Sequence, residues 1–231
     1  MMKKMHHASL ILFFATTTVH AQFGGLFGGK KNSAGTDNDA YLAKGIQLVQ
    51  GYAKIQAAVL EVGAAQALAE KDIAKAEVYT ARANALKQDP SSENFEKAAQ
   101  SIKEITEKQK NEEKRSVEYS EKGKEALQAT APKSVLTLAA SIGLGIEAVA
   151  WLKEYPDQLK AAGFLDKAKL IKSAKIPLTV AKQLPESLVT ILKTLNAIFA
   201  YSKKQGVDLE AADKELNKIE NNILELNAKL D

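Results

Sequence analysis

Cysteine is absent from this 231-residue chain, arginine occurs only twice, and histidine and methionine three times each. Without cysteine no disulfide can staple the fold, so any compact structure must be held by apolar burial alone. His6, His7 and His20, like Met1, Met2 and Met5, all precede residue 22. That opening stretch has a positive start (Lys3, Lys4), a short apolar run over 10–19 and a small-x-Ala ending at Val19-His20-Ala21. An apolar run of about ten residues is too short to span a bilayer. The pattern predicts a secretory signal peptide over residues 1–21, cut after Ala21, and hence a periplasmic or secreted protein. No cysteine follows the apolar run, which closes the lipoprotein route.

Cleavage there would leave a chain with no histidine, cysteine or methionine, keeping 30 of the 32 basic residues and all 28 acidic ones, a net charge of +2. Zinc, copper, haem and iron–sulfur sites draw on those missing side chains, and so do Ser-His-Asp and Cys-His nucleophile systems. No cofactor and no metal site are therefore expected, and the composition argues against an enzyme. General acid–base work would fall on carboxylates, lysines or tyrosines. The carboxylates sit mostly in solvated runs such as Glu112-Glu113. Arginine is the preferred fork for phosphates and bases, and only Arg82 and Arg115 are present, so nucleic acid is not an expected partner. Lysines interleaved with Glu and Asp describe the outside of soluble helices.

What is present is a long helical periodicity. Residues 22–38 hold five of the thirteen glycines and show no period, which predicts a flexible tail. From Asp39, with Asn38 or Asp39 as cap, Leu48, Tyr52, Ile55, Val59 and Val62 recur at heptad spacing, and the pattern runs on to Lys87. Gly45, Gly51 and Gly63 are places for a break, though the alanines beside them favour close helix approach instead. A turn at 88–92 starts a second helix through Phe95, Ala98, Ile102 and Ile105. It is expected to continue through the polar stretch 107–116 to Leu127.

The segment from Ser134 to Leu152 is the most apolar after residue 21, and its lack of a full polar face predicts a buried central helix. Insertion into a bilayer is the alternative, against which two glycines and Glu147 weigh. Within it, Gly143-Leu144-Gly145-Ile146-Glu147-Ala148 fits a dinucleotide-binding string. That string needs a strand before it and parallel strands beside it, and the flanks are helical throughout. Shorter helices follow over 157–174, 177–205 and 208–230, and all five prolines are expected at or near helix boundaries. Residues 153–204 hold ten lysines and four acids, and residues 205–231 three lysines and seven acids.

The chain is thus expected to be all-α: an elongated bundle with a long N-terminal helical hairpin over 39–131 and a more compact C-terminal helical part over 132–231 packed on it. The expected function is binding, as an adaptor, scaffold or chaperone-like factor of the cell envelope. The alternative is a membrane-active, pore-forming type of protein inserting 134–152. A protein partner or a membrane surface is expected, and self-association is compatible with the long helices. Phe23, Leu26 and Phe27, set among glycines, are candidate contacts for such a partner; the plainer account is a disordered leader. Glu147 and Trp151, one helical turn apart, are the other candidates, against an ordinary account in which Glu147 meets a lysine or water and Trp151 is core.

Overall fold

The computed structural model describes residues 36–110 and 117–227. Among these residues the chain is all-α, with seven helices: α1 (Thr36–Ala69), α2 (Ile73–Gln88), α3 (Ser92–Lys110), α4 (Glu121–Ala139), α5 (Ile142–Ala161), α6 (Phe164–Lys204) and α7 (Glu210–Asn227).

The 34-residue α1 is the axis of the bundle, in contact with α2, α3, α4, α5 and α6. The heptad residues Leu48, Tyr52, Ile55, Val59 and Val62 are all buried, as expected for the seam. Burial goes further, because Ala57, Ala58, Ala64, Ala65 and Ala67 are buried too. Small side chains on every face let several helices approach one backbone at once, which dispersion rewards contact by contact. At its C-terminal end Ser120 N–H donates to Ala69 O at 2.8 Å, and Gly123 of α4 lies against the Ala69 backbone. No Cβ fits there.

The apolar run expected over 39–87 is divided, but not at a glycine. Gly45, Gly51 and Gly63 all lie inside α1, facing Trp151, Leu144 and Ile105 respectively, and the break comes at Glu70–Asp72. Lys71 takes a φ of 65° there, and Asp72 caps α2 by accepting from Lys75 N–H at 3.1 Å. The second helix is likewise shorter than its expected course to Leu127. α3 ends at Lys110, residues 117–120 are not helical, and Ser120 caps α4 by accepting from Gly123 N–H at 3.3 Å. The boundary expected between 131 and 132 falls inside α4.

The prolines correct a second expectation. Pro90 does lie in the α2–α3 turn, but Pro132, Pro156, Pro177 and Pro185 are inside helices. A helix-internal proline forfeits a backbone bond at a cost of roughly 3 kcal/mol. Packing outweighs that cost in α6, where Pro177 is itself buried on a face shared with Val180, Ala181, Leu184 and Leu188. The expected helices over 157–174 and 177–205 are therefore one 41-residue helix, and the corner before it lies at Ala162–Gly163, not at Pro156. Gly206, at φ 79°, does end α6.

The segment 134–152 is not the buried central helix. It contains the turn Ala140–Ser141 between α4 and α5, and it exposes Leu136 (65%) and Ile146 (52%). The place it was expected to fill belongs to the C-terminal half of α1, which other helices enclose almost wholly from Ile55 to Ala67.

Two apolar cores result. The larger runs from the middle of α1 through α2, α3, α4, α6 and α7, and includes Leu60, Leu86, Ile105, Leu127, Leu188 and Phe199. The smaller joins Tyr41, Leu42 and Leu48 of α1 to Ala148 and Trp151 of α5 and to Leu170, Ala174 and Ala181 of α6.

Candidate functional site

The smaller core is organised around a reciprocal aromatic pair. Tyr41 Oη donates to the Trp151 carbonyl at 2.8 Å, and Trp151 Nε1 donates to the Tyr41 carbonyl at 2.9 Å. Their rings stack with centroids 4.5 Å apart and planes 9° from parallel, and Tyr155 stacks on both at 6.1 and 6.4 Å. Gly45 makes the approach possible: a Cβ there would sit 2.8 Å from Trp151 Cζ2 and 3.0 Å from Pro177 Cβ. Burial, reinforced by the charge of Glu154, pushes the Tyr41 hydroxyl well above its ordinary pKa. It stays a neutral donor. Asp39 and Lys169, 3.1 Å apart, tie α1 to α6 at the surface nearby.

Trp151 is 2% exposed and its N–H is engaged, so this side chain holds α1 to α5 rather than facing outward. Glu147, one turn earlier, is exposed and borders an open bay of about 280 Å³ with Lys44, Gln47 and Glu154. A second bay of about 530 Å³ adjoins it at Gln47 and is bordered by Gln50, Lys54, Leu136, Ser141 and Leu144. Gly51 admits Leu144, whose Cδ1 occupies the space a side chain at 51 would need. The two bays form a shallow groove along one side of α1, polar on the α1 wall and mixed on the α4–α5 wall, where Leu136, Ala140 and Leu144 at one end give way to Glu147 and Glu154 at the other. Such a surface can receive a side chain or a helix edge; it does not enclose a small molecule.

A buried polar cluster lies elsewhere, where α1, α3 and the residues before α4 meet. The amides of Gln66 and Gln109 exchange hydrogen bonds at 3.0 and 3.3 Å, and Gln66 Nε2 also donates to Tyr119 Oη at 3.0 Å. Beside them Lys108 pairs with Glu70, and desolvation lowers the Lys108 pKa. Each amide satisfies its neighbour, so the cluster clamps the ends of the helices together. Its members were not singled out by pattern, yet one signal existed: Gln66 falls four residues after Val62 on the apolar stripe of α1. Gln56, likewise buried, has an Oε1 with no hydrogen-bond partner among the described residues.

The structure brings Glu147 and Trp151 to one end of the groove. Phe23, Leu26 and Phe27 lie outside the described residues. Two exposed apolar side chains, Phe164 (89%) and Leu165 (81%), mark the corner between α5 and α6. No protein-family model matches the chain, and no curated protein or solved structure is significantly similar to it.

Proposed function

We propose that this is an exported helical-bundle protein that acts by binding, as an adaptor, scaffold or chaperone-like factor of the cell envelope. Its contact surface is the α4–α5 wall of the groove. The observation that carries this is the poor cover of the most apolar helical stretch: of the 18-residue apolar window within Glu121–Ala161, 33% is buried. Leu136 on that wall, and Ile146 farther along α5 outside the two bays, lose favourable transfer free energy while they face water, and a partner's surface would restore it. The groove's polar α1 wall, with Lys44, Gln47 and Lys54, would orient that partner.

Site-specific photocross-linking tests this. A cross-linker at position 136 or 146, in cells making the protein, is expected to trap one discrete partner, and Leu136→Ser combined with Ile146→Ser to abolish trapping. Cross-links equally abundant from a control position on exposed Lys193 would sink the proposal. Fractionation with N-terminal sequencing tests export: a start at Gln22 in an envelope or culture fraction is expected.

A second reading has support from the same stretch, since Glu121–Ala161 is long and apolar enough to cross a membrane by length and composition. Insertion would have to straighten the turn at Ala140–Ser141 and carry Glu147 into hydrocarbon. Release of vesicle-trapped dye by the purified protein would favour it over the groove.

A further inference from the structure

We propose that the corner between α5 and α6 is a membrane-surface contact that seats Phe164 and Leu165 in the interfacial layer of an anionic bilayer. This rests on the reading of an exported binding protein and names lipid as what one of its surfaces meets. The chain leaves α5 at Ala161, turns through Ala162 and Gly163, and presents Phe164 and Leu165 as the first residues of α6. They are the most exposed large apolar side chains of the described residues, at 89% and 81%, with Ile171 at 56% on the same helix.

The helical repeat places them together with positive charge. Phe164, Ala168, Ile171 and Lys175 recur at steps of four, three and four, so they form one stripe, with Leu165 and Lys172 flanking it. All six are exposed. Lys167, Lys172 and Lys175 have no ion-pair partner among the described residues, whereas Lys169 is held by Asp39. Asp166, the acid of the first turns of α6, falls on the far flank of the helix from this stripe, and Asp157 of α5 is paired with Lys160 at 3.3 Å. The wider region agrees: ten lysines against four acids over 153–204.

A narrow apolar tip collared by lysines fits lipid better than protein. The bilayer interface accepts protruding Phe and Leu side chains, and anionic headgroups attract ammonium groups without needing the guanidinium fork that this chain almost lacks. A protein partner would call for a broader apolar patch with a polar rim.

The absence of cysteine makes the test site-specific. Ala168→Cys in the full chain takes a single environment-sensitive dye at 168. Phosphatidylcholine vesicles with half phosphatidylglycerol are expected to shift its emission to the blue and brighten it, and pure phosphatidylcholine to do so far less. Each lysine near an anionic surface is worth about fivefold in affinity, so Lys167→Gln, Lys172→Gln and Lys175→Gln together should weaken binding more than tenfold. Phe164→Ser with Leu165→Ser should cost about tenfold or more. Circular dichroism establishes that each variant is folded. A dye silent to anionic vesicles in folded protein overturns the proposal, as does an equal response to neutral ones. Vesicle flotation with a silent dye overturns this corner alone and leaves the binding function standing. Silence of the dye together with no cross-link from 136 or 146 overturns both.

Discussion

The two cores are built from similar side chains and differ in what surrounds them. Among the described residues the larger holds 37 buried apolar residues from six helices and the segments joining them, and the smaller holds eight from three helices. Around Leu60 every direction from α1 meets another helix. Around Trp151 only one side does, and Ile146, Phe164, Leu165 and Ile171 look out from the α5 and α6 backs of the same region. Apolar character therefore specifies where burial is possible, and the number of neighbours decides whether it happens. The bundle's stability belongs to the first region and its capacity for contact to the second.

The largest test of that contrast sets Leu60→Ala against Ile146→Ala. Removing the fully enclosed leucine should cost roughly 3 kcal/mol, while removing the exposed isoleucine should stay within about 0.5 kcal/mol, read by urea denaturation. Equal losses would break the distinction between wrapped and uncovered regions. A smaller effect is expected from Tyr41→Phe, about 1 kcal/mol for the lost hydrogen bond to the Trp151 carbonyl. Hydrogen exchange should place that loss locally, with α5 amides exchanging faster and the amides around Leu60 unchanged. Uniform acceleration along the chain would mean the two cores unfold as one.

The last test concerns pH. Burial pushes the Tyr79 hydroxyl up to about 12, helped by the nearby charges of Glu104 and Asp72. Its folded value lies above the unfolded one, near 10, so between them the folded state holds the extra proton. Stability is fully present below about pH 10 and is lost as pH rises toward 12. Melting temperatures measured from pH 8 upward should fall through this window, and Tyr79→Phe should flatten the slope.

Much of α1 was legible because heptad spacing names the residues of a seam and all five are buried. The enclosure of its C-terminal half was not legible, since Gln56 and Gln66 among alanines look like a polar face until other helices cover them. The corner at Phe164 escaped for the opposite reason: Phe164, Ala168 and Ile171 keep the same period whether a helix or water faces them. Prolines misled because a local rule against helix continuation yields to burial spread over 41 residues of α6. Lys71 left no trace at all, since lysine has no special preference for left-handed backbone. Of the candidate contacts, Glu147 and Trp151 were placed together by a simple one-turn spacing, but which of the pair would be open to solvent depended on Tyr41, 110 residues away.

Gly123 carries a consequence for how this chain can vary. Its hydrogen occupies the space between α4 and the Ala69 backbone, whereas Gly143, in the first turn of α5, has nothing within 4 Å of where a Cβ would stand. Two glycines twenty positions apart thus face opposite pressures over generations: one site is closed to every other amino acid, and its neighbour is open to drift. The joint between α1 and α4 is an inheritance that descendants of this chain must keep, while the start of α5 remains free for refashioning.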